Sequence, residues 1–81
     1  MQTLILYTKP GCHLCDDVQA VIRSVACRRP LKLVERNILD NLADLERYHD
    51  LIPVVMVNGR EIARYRLTEA QLDAALEAEG T

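Results

Sequence analysis

Lys9-Pro10-Gly11-Cys12-His13-Leu14-Cys15 is the stretch on which the reading of this chain turns. Two thiols with two residues between them stand between a short apolar run and an amphipathic pattern. Upstream, Thr3 to Tyr7 is apolar and rich enough in β-formers to predict a buried strand. Thr8-Lys9-Pro10-Gly11 predicts a turn. Downstream, Leu14, Val18, Val21, Ile22 and Val25 recur at helical spacing from Cys12 onward. Asp16 and Asp17 fall in the first turn, where they suit the helix dipole. Both thiols therefore sit at a helix start, close enough to close a small disulfide ring. The first sulfur faces unpaired backbone N–H groups and the positive end of the dipole. A thiolate there is stabilised, so the thiol is a stronger acid and a more abundant nucleophile. In that context the pair reads as a redox motif.

The pattern continues outward from this point. The first helix is expected to stop near Cys27, before Arg28-Arg29-Pro30. Leu31 to Asn37 reads as a second strand. Asp40 is placed to cap a second helix bearing Leu42, Leu45 and Tyr48. Leu51-Ile52-Pro53 leads into an apolar strand, Val54 to Val57. Asn58-Gly59 is a hairpin signal, and Glu61 to Tyr65 returns antiparallel. Thr68 with Gln71 predicts a capping box for a last helix, with Leu72, Ala75 and Leu76 inward. The order is β-α-β-α-β-β-α. Its first crossover is expected to be right-handed between parallel strands. The simplest assembly is an α/β fold, one four-stranded mixed sheet with helices on both faces. Residues 1–81 form a single domain on this reading.

Composition narrows the function. The chain is 49% hydrophobic and 27% charged, ordinary for a globular domain. Three cysteines do not make a disulfide-stapled secreted module. Met1 to Tyr7 has no basic leader, and its apolar run is too short to span a bilayer. A reducing cytoplasm is the expected compartment, with no membrane partner. The net charge of −2 argues against a general nucleic-acid binder. Residues 1–37 carry six Lys/Arg against three Asp/Glu, and residues 38–81 carry four against nine. This asymmetry reads either as two solvated faces or as a basic rim near the cysteines that attracts an anionic thiol or acidic partner.

The chain resembles the thioredoxin superfamily and is most similar to the glutaredoxins. The resemblance rests on Tyr7-Thr8-Lys9-Pro10-Gly11-Cys12-His13-Leu14-Cys15, then Ile52-Pro53-Val54-Val55, then Asn58-Gly59, in that order. Thioredoxins usually carry Trp before the first cysteine; Gly11 stands there and the chain has no Trp. Two departures separate it from a standard glutaredoxin. His13-Leu14 replaces the usual Pro-Tyr, and Ala63-Arg64-Tyr65-Arg66 replaces the Gly-Gly-Asp-type segment after the fourth strand.

Each candidate residue has a stated role. Cys12 is the nucleophile, with Lys9 adding positive charge before it. Cys15, one turn further in, is the resolving thiol. His13 either holds a proton or charge near the thiolate or is a solvated loop residue. Leu14, between the thiols, is assigned to substrate contact. Cys27 reads as a free thiol at the far end of the helix, with a regulatory or intermolecular disulfide as the alternative. His49 reads as a surface residue. The resemblance implies that Pro53 is cis and packs beside the cysteine pair, and that Ile52 offers backbone groups to an extended substrate. Arg64 and Arg66 are either solvated or anion binders that replace the missing Gly-Gly site.

The resulting expectation is a monomeric thiol–disulfide oxidoreductase acting on protein disulfides or small-thiol mixed disulfides, reset by an external reductant. It needs no cofactor, and glutathione as co-substrate is left open. The alternatives are a metal- or cluster-binding module and a redox-inactive partner-binding domain. One Cys-x-x-Cys supplies two ligands where a closed zinc site takes four.

Overall fold

A computed structural model of the chain describes residues 2–79; Met1, Gly80 and Thr81 lie outside them. The elements are β1 (Gln2–Thr8), α1 (His13–Ala26), β2 (Leu31–Asn37), a 3-10 turn (Ile38–Asp40), α2 (Leu42–Tyr48), β3 (Val54–Val57), β4 (Arg60–Arg64) and α3 (Glu69–Glu79). The sheet order is β2-β1-β3-β4. β1 and β2 are parallel, with Gln2 opposite Leu31 through to Thr8 opposite Asn37. β1 with β3, and β3 with β4, are antiparallel.

Period-two alternation divides the strands between two helical layers. Leu4 and Leu6 of β1, with Val55 and Val57 of β3, meet Val18, Ile22 and Val25 of α1 and Leu72 and Leu76 of α3. The alternate residues, Tyr7, Val54 and Met56, turn to the other face, toward Leu45 and Tyr48 of α2. Asn58 (φ 51°) and Gly59 (φ 80°) make the tight turn between β3 and β4, a conformation that suits the sheet's own twist. The ladder slips at Val55/Met56, leaving Ile62 as the extra residue of a bulge on β4. Ile62 and Ala63, neighbours in sequence, consequently both pack on the α1/α3 core.

Several expectations change in detail. Asp40 does not cap α2, because it belongs to the 3-10 turn, whose first carbonyl, at Ile38, accepts from Asn41 N–H. Asn41 has the extended backbone a cap requires, and its side chain accepts from Asp44 N–H at 3.1 Å. Leu42 is 70% exposed; α2 is short, and its inward row is Leu45 and Tyr48. Leu14 is likewise off the buried row of α1, which is Cys15, Val18, Ile22 and Val25. β4 ends at Arg64, and Tyr65 stands outside it. The capping box is half formed. Thr68 Oγ accepts from Gln71 N–H at 3.0 Å, but the Gln71 side chain donates to Ile62 C=O instead of turning back.

The charge asymmetry is largely an internal one. Arg28 reaches Glu69 and Asp73, and Arg29 reaches Asp73 and Glu77. Residues 69, 73 and 77 form one acidic row on α3, at helical spacing, facing the turn after α1. Arg28 and Arg29 lie at the end of α1 opposite the cysteines and add nothing to a basic rim there.

Two outcomes are expected. Leu72 is fully buried, so Leu72→Ala should cost about 2–5 kcal/mol in urea unfolding. Asp73 has its pKa lowered, first by hydrogen bonds from Arg28. A depressed carboxylate stabilises the fold above its unfolded pKa, about 3.9, and loses that contribution as pH falls through the lower folded value. The Tm gap between wild type and Asp73→Asn should therefore be full at neutral pH, close in acid, and shrink with added salt; a gap independent of pH would contradict the clamp.

Candidate functional site

The site is built where β1 hands the chain to α1. Gly11 takes φ +79°, with nothing within 4 Å of where a Cβ would be. It is therefore the left-handed backbone, not crowding, that suits glycine. The turn leaves Cys12 extended (φ −90°, ψ 108°) as the N-cap of α1. The usual cap is a side-chain oxygen; here Cys12 Sγ accepts from Cys15 N–H at 3.2 Å. Cys12 C=O accepts from Asp16 N–H at 3.2 Å. The two Cα atoms are 5.2 Å apart and the sulfurs are joined as a disulfide.

The two sulfurs are not equivalent. Cys12 is half-buried, whereas Cys15 is 2% exposed. Cys15 belongs to a cluster with Ile38, Tyr48, Ile52 and Val54, and Tyr7 and Cys12 pack against it. In the dithiol form, the N–H that meets Cys12 Sγ would favour a thiolate there, while apolar burial disfavours one at Cys15. An outer, half-buried sulfur thus stands in front of an inner, buried one.

The segment before β3 closes the other side. The Ile52–Pro53 peptide is cis. Ile52 is buried in the Cys15 cluster, and Pro53 is fully buried. Pro53 C=O accepts from Tyr65 N–H at 2.8 Å. Cys15 and Ile52 therefore share one cluster, with Cys12 packed against it, although β2, the 3-10 turn and α2 separate them in sequence.

The remaining candidates divide. Lys9 is exposed and lines a cavity of about 350 Å³ that reaches Cys15 between the β1–α1 turn and the end of β2. Asp16, Gln19, Glu35 and Asp40 share that lining, and the Gln19 amide donates to the Glu35 carboxylate. Leu14, 39% exposed, and Arg66 line a second groove of about 350 Å³ between α1 and the β4–α3 connection. Arg64 is engaged elsewhere: its Nε donates to Glu61 at 2.6 Å, which raises its pKa. His13 is exposed. Cys27 is an exposed free thiol at the far end of α1.

Two aromatic contributions make contacts that the sequence reading did not assign. Tyr7 stacks on Tyr48 with ring centroids 4.4 Å apart, and the Arg47 guanidinium lies 5.6 Å from the Tyr48 ring centre. Burial, then Tyr48 and Asp44, raise the Tyr7 pKa, and the stacked rings back the site. Tyr65 is the other. The signal for Tyr7 was its place five residues before Cys12; nothing local in sequence pointed to Tyr48. Among the described residues, no group of three or more His, Cys, Asp or Glu side chains converges as a metal site. No helix among them is long and apolar enough to cross a membrane.

Comparison with known proteins agrees with this geometry. The model of the glutaredoxin-like domain family (DUF836) matches residues 3–77. The X-ray structure of protein XcR50 from X. campestris superposes with a TM-score of 0.77 at 28% identity, covering 93% of this chain and 96% of that one. The solution structure of protein Ne2328 from Nitrosomonas europaea gives 0.79 at 28% identity, covering 91% and 89%. A mutant thioredoxin from Halobacterium salinarum gives 0.67 at 17% identity, covering 95% and 73%, a likeness of fold alone.

The asymmetry of the pair is measurable. In reduced protein carrying Cys27→Ser, iodoacetamide should label Cys12 first, with an apparent pKa below about 8.5, and Cys15 much more slowly. Equal labelling of both would remove the distinction between outer and inner thiol.

Proposed function

This chain belongs to the glutaredoxin-like domain family (DUF836), and from that premise we propose that it is a thiol–disulfide oxidoreductase working through Cys12 and Cys15. The observation that carries the reading is Cys12 Sγ capping α1 on the Cys15 N–H, with Cys15 buried behind it. The Cys12 thiolate attacks one sulfur of a substrate disulfide. A mixed disulfide forms, and the other half of the substrate leaves as a thiolate that takes a proton from solvent. Cys15 then loses its proton and attacks Cys12 Sγ. The second substrate thiol leaves, and the Cys12–Cys15 disulfide closes. Two electrons pass from the dithiol to the substrate, and an external reductant restores the pair.

The substrate on this reading is a protein disulfide or a small-thiol mixed disulfide, met by a monomer in a reducing compartment such as the cytoplasm. Ile52 offers its backbone to an extended substrate beside the pair. Lys9 contributes the positive charge nearest the nucleophile, and His13 stands in solvent next to it. No cofactor enters the cycle. Glutathione is the weaker partner: Arg64 is held by Glu61, and Tyr65 and Arg66 bring bulk to the place where a backbone ligand would approach. A metal- or cluster-binding role would need two further ligands from a second molecule.

Dithiothreitol-driven insulin reduction distinguishes the roles. Cys12→Ser should fall to the uncatalysed rate. Reduced Cys15→Ser, mixed with insulin after the dithiothreitol is removed, should still attack and accumulate a mixed disulfide at Cys12, visible by mass spectrometry. Activity surviving Cys12→Ser would refute the assignment, as would stoichiometric metal protecting both thiols in the purified protein.

A further inference from the structure

Tyr65 has a backbone that a tyrosine seldom adopts. Its φ is +65°, in the left-handed region where a bulky side chain is an outlier. Arg66 N–H donates to Arg64 C=O at 2.6 Å, closing a three-residue turn with Tyr65 at its apex. Two more bonds hold it there. Its N–H donates to Pro53 C=O at 2.8 Å, and its OH donates to Asp50 C=O at 3.0 Å. One residue thus ties the end of β4 to both ends of residues 50–53, the segment that sets Ile52 against Cys15. Such an outlier persists where its surroundings over-determine it, and outliers of this kind cluster at functional sites.

Tyr65, 42% exposed, also lines a groove along α1 with Leu14, Val18, Val21 and Leu67, whose remaining lining is Asp17, Arg66 and Thr68. Leu14 stands between the two cysteines in sequence, so this groove reaches the turn of α1 that bears them. The phenol bond to Asp50 keeps the ring from swinging clear.

We propose that Tyr65 is the specificity-determining residue of the dithiol site. Its pinned ring makes the wall beside Leu14 apolar. Exchange is thereby directed toward disulfides carried among apolar side chains of a polypeptide. Small polar disulfides gain nothing from that wall and are disfavoured. The proposal rests on the oxidoreductase reading above and follows its electron balance: the dithiol becomes a disulfide and one substrate disulfide becomes two thiols.

Glycine supplies the test, since it holds a left-handed turn without steric cost and leaves its backbone open. Reduced proteins in a Cys27→Ser background are mixed with oxidised glutathione, or with a disulfide-linked dimer of a short peptide carrying leucine on both sides of its cysteine. Acid quenching and mass spectrometry give the second-order rate of Cys12–Cys15 oxidation for each. Tyr65→Gly should raise the glutathione-to-peptide rate ratio about tenfold, the scale on which one side-chain contact discriminates between ligands. Tyr65→Phe, which keeps the ring and loses the pin, should raise it less. A purely structural role would slow both reactions alike, and an unchanged ratio in Tyr65→Gly overturns the proposal. Should the glycine variant lack native circular dichroism, Tyr65→Asn, which also tolerates this backbone, must show the same shift or the proposal fails. A wild-type pair oxidised by neither disulfide would instead refute the oxidoreductase reading itself.

Discussion

A sulfur atom caps the first helix, and the site depends on that contact. Every helix begins with N–H groups that have no partner inside it. Here one of them is met by Cys12 Sγ rather than by a side-chain oxygen. The bond that satisfies the helix end is therefore also the one on which the proposed activation of Cys12 rests. The contact requires Gly11 in its left-handed turn, Cys12 in an extended backbone, and β1 ending at Thr8. The parallel pairing of β1 with β2 sets where that end lies.

The rest of the fold carries the inner thiol and its cover. Alternation along β1 and β3 sends one set of side chains to α1 and α3 and the other to α2. Cys15 sits at the end of α1 nearest the second set, among Ile38, Ile52 and Tyr48. Its burial is thus a product of the α2 layer, not of the helix that bears it. Far from the site, Arg28 and Arg29 in the turn after α1 meet the acidic row of α3.

The architecture was legible because long-period patterns survive local errors. Two apolar strands around a helix, then Asn58-Gly59 between two short strands, define the order β-α-β-α-β-β-α whatever happens at the boundaries. The misplaced residues, Asp40, Leu42 and Leu14, all lie within one turn of a helix start. Periodicity is weakest there, because successive residues differ by about 100° and the first turn has no preceding turn to show which of two neighbours faces inward. The exposed Leu14 is a case in point. Its spacing to Val18, Val21 and Val25 fits an apolar row, but the inward row is Cys15, Val18, Ile22 and Val25.

By itself, the sequence determined the two thiols, their spacing, their place at a helix start and the family pattern around them. These are local properties, set by neighbours within a few residues. Only the tertiary structure decided which side chains meet those thiols. Ile52 reaches Cys15 through strand pairing, Tyr48 reaches Tyr7 through the α2 layer, and Tyr65 reaches Asp50 and Pro53 across a hairpin with a bulge at Ile62. Arg64 and Arg66, alike in sequence, part company because the strand ends between them: one returns to Glu61 and the other faces the groove beside Leu14. Such contacts depend on register and chain reversal, which arise from the packing of whole elements and leave no mark at the residues they join.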